Sequence, residues 1–264
     1  MALLSLSLDE LTIADEASFA HVGLYARLKR VVQRSGQRFL APGPGTRLSW
    51  DRATFLNLTF WTPAASTDVL AERGIAADVV AHVAWHHLAA KQLAKAAPGA
   101  GGAVCAAGLF FAESIASAFD VYLVGRLLPN APDSDFIATQ VPIMSEAAEQ
   151  AGLDEAGFAA LLENIAQEPE RAFEELRELL FDVASALLRC SDAPAAQQAL
   201  EQFERQRFAS LLHHFQLSNW VLYARAFGTA LPEQERAVEE LDAALRNAPV
   251  ALDWLAGRWL GPTR

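Results

Sequence analysis

Cysteine is scarce in this chain of 264 residues, with only Cys105 and Cys190 present. Two thiols, each in an apolar helical stretch, cannot build a disulfide framework and read as small buried hydrophobes of a reducing compartment. Runs of Lys or Arg are missing too. Against 32 acidic side chains stand 21 basic ones, a formal net charge of −11. That balance disfavours phosphate backbones and anionic lipid, so neither nucleic acid nor a membrane is expected as a partner. The longest apolar run, 103–112, is about half of the roughly 20 residues that a bilayer span needs, and Glu113 ends it. The first 15 residues alternate Leu with Ser and then meet Asp9, Glu10 and Asp15. They carry neither a basic leader nor an apolar h-region, so the chain is expected to be cytoplasmic. Also absent are a phosphate-cradling glycine loop after a strand, a G-x-S-x-G turn and the Glu-x-x-His pairs of di-iron bundles.

What is present is apolar and helical. Hydrophobic residues make up 52% and charged residues 20%, a globular composition with material for a large core. The spacing predicts a first helix over 18–33, with Phe19, Val22, Leu24, Leu28, Val31 and Val32 on its apolar face. Ser35-Gly36 ends it, and Ala41-Pro-Gly-Pro-Gly is a loop signal. Short aromatic and β-branched stretches at 47–50 and 54–61 predict a small β-hairpin near residues 46–61, the one strand region expected. Everything after Pro63 reads as helix: 67–72, 76–97, 103–128, 134–150, 153–167, 169–189, 193–214, 218–227, 233–247 and 250–260. Asp133 or Ser134 caps the fourth of these, and Pro142 should bend it. The expected architecture is mainly α, a multi-helix single domain over 1–264. The break at 228–232 is where a C-terminal helical subdomain, 231–264, would be set off.

Five of the six histidines fall in two clusters: His82, His86 and His87, then His213 and His214. His82 and His86 are four apart, so on a helix they share a face one turn apart, and imidazole ligates zinc, iron, copper or nickel. Asp78 lies one turn earlier on that face and could fix the tautomer of His82. His87 points about 100° away from His86 and is the poorest ligand of the three. In the next helix, Glu113, Ser117 and Asp120 form a polar stripe among apolar neighbours. A carboxylate on an otherwise buried helix must find a partner, because its desolvation is costly. A metal held by His82, His86 and Glu113 meets that demand; so does Arg126, or the histidine pair without a metal. His213 and His214 read as helix C-terminal cations, or as a fourth ligand or an acid. Asn219, Trp220 and Tyr223 just beyond them could line the same cavity.

The segment Asp78-Val-Val-Ala-His-Val-Ala-Trp-His-His-Leu resembles the active-site helix of the zincin metallopeptidases, whose signature is H-E-x-x-H. Glu113-Ser-Ile-Ala is similar to the glutamate-bearing segment of their gluzincin branch. The resemblance spans about 40 residues and implies a zinc site, with iron as the other candidate ion. By the same likeness His82 and His86 are ligands and Glu113 is the third; the residue spacing sets Asp78 and Asp120 behind them. The signature's catalytic glutamate falls on Val83, which cannot move a proton. Either the centre uses another base, with Glu113 or a histidine of the 213–214 pair as candidates, or it is a pseudoenzyme. The alternative is a metal-free helical module that binds a protein or small-molecule ligand.

Overall fold

Alternation of Leu and Ser is a period-two pattern, and at the start of the chain it builds a strand. The computed structural model describes residues 3–43, 68–70 and 72–261. Within them lie five short strands: β1 (Leu3–Leu6), β2 (Thr12–Ala14), β3 (Phe39–Pro42), β4 (Asp68–Val69) and β5 (Gly74–Ala76). β3 runs antiparallel to β1, pairing Leu3 with Pro42 and Leu6 with Phe39, and parallel to β4. β2 and β5 form a separate parallel pair in the register Thr12 to Gly74.

These strands correct two expectations. The hairpin near 46–61 lies outside the described residues, yet strands occur at five other places. Asp68 and Val69, expected as a turn of helix, are hydrogen-bonded into a sheet instead. Both corrections come from pairing: a strand of two to four residues is held by its neighbour and shows little periodicity of its own.

The helices follow the expected pattern with local differences. The first, α1 (Tyr25–Ser35), buries Tyr25, Leu28 and Val32 on one face and ends at Gly36, whose φ of 74° is a left-handed C-cap. It starts later than expected. Ser18–His21 is a 3₁₀ turn, and extended backbone at Val22 separates it from α1. α2 (Ala77–Ala96) and α3 (Ala106–Leu127) pack against each other. α3 has the length and apolar content of a membrane span, but 83% of its most apolar stretch is buried inside the fold. It is the central helix.

α4 (Asp135–Gln150) starts at Ser134, whose hydroxyl accepts from the Ile137 amide, and contains Pro142. α5 (Glu155–Gln167) and α6 (Pro169–Leu188) pack on α3. The helix expected over 193–214 is broken. α7 (Ala193–Glu201) has only a half-buried apolar face, Ala195, Ala196, Ala199 and Leu200, too little packing to carry the helix further, and 202–208 is irregular. A 3₁₀ segment, Ala209–Phe215, follows before a left-handed residue at Gln216. α8 (Leu217–Phe227), α9 (Pro232–Arg246) and α10 (Ala251–Trp259) complete the chain. α9 lies on α2 and α3, and α10 on α6, so the C-terminal helices dock on the same core. Gln234 of α9 donates to the Ala103 carbonyl and accepts from the Cys105 amide, fastening α9 to the start of α3.

Candidate metal centre

The site is made where α2 crosses α3. α2 turns Val80, Ala81, Ala84, Trp85 and Leu88 into the core, and that anchoring sets His82 and His86 against α3. Their ring centroids are 5.1 Å apart. Facing them is Glu113, a carboxylate only 6% exposed on a helix buried almost all round. His86 Nε2 lies 3.2 Å from Glu113 Oε1, and His82 Nε2 lies 3.9 Å from Glu113 Oε2. One ligand atom from each of the three residues falls within 4.8 Å of the others, so the group could hold a metal ion.

Behind this triad stands a second carboxylate. His82 Nδ1 is 3.0 Å from Asp120 Oδ2, so the neutral ring donates from Nδ1 and keeps the Nε2 lone pair facing Glu113. The spacing along α2 pointed to Asp78 for that role. The structure places Asp120 there, two turns beyond Glu113 on α3. Asp78 stays close enough for its charge to be felt by His82. Burial and then the Asp120 charge push its own pKa up to about 6. Burial opposes a charge on His82, but Asp120, Glu113 and Asp78 outweigh it and carry that imidazole up to about 9.

The other sequence candidates divide. His87 turns away from the group as the helix geometry requires, its Nε2 lying 3.1 Å from Gln37 Oε1. Burial, and then the neighbouring His86, bring its pKa down to about 4. Arg126 does not reach Glu113; it pairs with Glu170 at 3.8 Å. His213 is exposed and lines, with Asn219, a different cavity that touches none of the three ligands. His214 packs edge-on against Phe215, and burial lowers its pKa while Asp120 acts the other way. Trp220 is buried, and the Tyr223 ring lies 4.7 Å from that of Phe227.

Sequence reasoning missed the walls of the site. Between α2 and the start of α3, a cavity of about 20 Å³ touches His86 and Glu113 and is otherwise apolar, lined by Ala90, Leu93, Val104 and Leu109 among others. That is room for about one water. No spacing rule finds it, because it is formed by two helices and the loop between them.

Comparison with known protein families, curated proteins and solved structures finds no match. The site has to speak for itself. The donor set suits a first-row ion, since two imidazole nitrogens and one carboxylate oxygen are ligands of zinc and of iron. The buried Oε1 of Glu113 accepts no hydrogen bond, although His86 Nε2 is 3.2 Å away. A cation would satisfy that oxygen. Bonds of about 2.0–2.1 Å to a tetrahedral ion put ligand atoms roughly 3.4 Å apart, so only small side-chain rotations close the group around one.

Proposed function

We propose that this protein binds one divalent metal ion through His82, His86 and Glu113, that the ion is zinc, and that the centre is zincin-like but degenerate. The observation that carries the reading is the convergence of three ligand atoms within 4.8 Å, in a buried setting where Asp120 fixes the His82 ring. Three protein ligands leave a fourth position open, the pattern of catalytic rather than structural zinc. Bound there, the ion would lower the pKa of a water towards neutrality and polarise a carbonyl, so the reaction class is metal-assisted hydrolysis.

The chain's own residues then divide the work. His86, 3% exposed, and Glu113 exclude bulk water from the inner side. Asp120 holds the proton on His82 Nδ1. Val83 is buried and offers no proton acceptor, so a base has to come from Glu113 in a non-ligand role or from His214, which is near enough to feel the Asp120 charge, or the centre is a pseudoenzyme. The test is elemental analysis of tag-free protein beside the His82→Ala/His86→Ala double variant. About one equivalent of zinc in the wild type, absent from the variant, supports the site; none in either after zinc is added back defeats it. Glu113→Gln separates the roles: lost metal makes Glu113 a ligand, and retained metal with lost turnover makes it the base.

One observation favours the rival, a metal-free helical module binding a protein or small-molecule ligand. Held up at about 9, His82 is a cation at neutral pH and balances the carboxylates around it without an ion. Under that reading the double variant changes stability and leaves ligand binding intact.

A further inference from the structure

On the outer side of α2 a groove of about 610 Å³ runs between the 35–38 turn, the helix and the 97–104 loop. It shares Ala90, Leu93 and Val104 with the small cavity that touches His86 and Glu113, so the two spaces adjoin along one wall. Its lining differs sharply from the rest of the molecule. The chain carries 32 acidic side chains, yet none of the described residues lining this groove is Asp or Glu. Two are cations, Arg38 and Lys91, and Ser35, Gln37, His87 and Gln234 supply neutral polar atoms. By contrast, a cavity on the opposite charge pattern, along α6, is lined by five glutamates.

The two cations are not equivalent. Arg38 already donates to the Ser5 carbonyl and sits 3.6 Å from Glu10. Lys91 is exposed, and among the described residues no carboxylate lies within ion-pair distance of it. The chain has only three lysines: Lys29 pairs with Glu16, Lys95 donates to Gln92, and Lys91 is the third. Gln37 and His87 are fixed on each other beside it. The wall shared with the small cavity at His86 and Glu113 is Ala90, Leu93 and Val104, whose side chains offer only apolar contact.

We propose that this groove binds an amphipathic carboxylate, with its anionic end at Lys91 and its apolar end against Leu93 and Val104. Leu93 and Val104 also line the small cavity that touches His86 and Glu113, so the apolar end lies on the wall shared with the metal centre; that consequence rests on the metal reading, whereas the charge preference does not. In a chain of net charge −11 a general attraction for anions is absent, so selectivity for one must be local.

The probes are hexanoate, 1-hexanol and acetate, followed by ligand-observed NMR titration of the full chain loaded with zinc. Hexanoate should bind at least tenfold more tightly than either of the others. Lys91→Glu should weaken it at least tenfold, while Lys95→Glu, one turn along the helix and outside the groove, changes it less than twofold. All three proteins should keep the same metal content, which shows that the centre and the fold survive. In the metal-free His82→Ala/His86→Ala variant the dependence on Lys91 should persist. If it persists and the wild type itself holds no zinc, the groove stands and the metal reading falls. Hexanoate affinity that vanishes with the metal and ignores Lys91→Glu would put the carboxylate on the ion and overturn the proposal. Equal binding of hexanoate and 1-hexanol, or of hexanoate and acetate, would overturn it as well.

Discussion

Asp120 is the residue on which the geometry of the centre turns. Its hydrogen bond to His82 Nδ1 selects the tautomer that would present Nε2 to the proposed ion, and such partners set ligand orientation and basicity. Asp120→Asn can still accept from Nδ1–H but supplies no charge, so zinc affinity should fall by about 10- to 100-fold with one equivalent still bound at saturation. Competition against a chromogenic chelator measures it; an unchanged affinity would show that the contact is structural only. Asp78 makes a separate prediction. Its pKa of about 6 lies above the unfolded value of 3.8, so folding favours its protonated form. The carboxyl therefore imposes no penalty below about pH 4, and the penalty grows until the pH passes about 6. In metal-free protein, Asp78→Asn should gain on the wild type over that window, by about 2–3 kcal/mol at the plateau given about 1.36 kcal/mol per unit. Urea melts between pH 4 and 8 test it, and a gap that shrinks as pH rises contradicts it. Zinc should narrow the gap, because a nearby cation stabilises the Asp78 anion.

At the scale of elements, α2 and α3 were legible in advance. Their long apolar runs, bounded by Pro98-Gly99 and Pro129, fix both helices to within a few residues. His82, His86 and Glu113 could be picked out because two are on one face of a single helix and the third is a carboxylate in an apolar surround. That Asp120 rather than Asp78 would grip His82 could not be picked out, since it depends on how far α3 slides along α2 when they pack. The short strands escaped for a related reason: what holds them is a partner remote in sequence, such as Pro42 for Leu3. The interlocking of α3 with its neighbours can be probed at Gly125, where a Cβ would lie 2.5 Å from the Ile165 carbonyl oxygen and 2.9 Å from Pro169. Those obstacles are backbone and a ring, neither of which yields easily. Gly125→Ala should cost about 1–3 kcal/mol by overpacking, partly offset by about 1 kcal/mol of helix propensity. A lower urea midpoint is expected, with zinc affinity unchanged because Glu113 is roughly 18 Å away along the helix. Stabilisation would mean that α5 gives way freely.

At the scale of the whole molecule, the C-terminal helices are tied to the body through a buried charge. Arg177 of α6 is fully buried, and its Nη1 lies 2.6 Å from Asp242 Oδ1 of α9. The second oxygen of Asp242 accepts from Arg246, which also reaches Asp182. The two ends of the pair are therefore unequal. Arg177→Met leaves Asp242 partnered by Arg246 and replaces a buried cation with an apolar chain of similar reach. Asp242→Ala leaves Arg177 buried with, among the described residues, Glu178 as its one charged partner, 3.6 Å from its Nη2. Stranding a buried charge costs about 3–5 kcal/mol, whereas exchanging it for a hydrophobe is often near neutral. Asp242→Ala should thus be destabilised by several kcal/mol and Arg177→Met by no more than about 1–2, and the double variant should recover most of the Asp242→Ala loss. If the C-terminal helices share one core with the rest, amide hydrogen exchange of 231–264 and far-UV circular dichroism will report the same urea midpoint in every variant. A separate early loss of protection over 231–264 in Asp242→Ala would instead mark that segment as a unit that unfolds on its own, held in place chiefly by this ion pair.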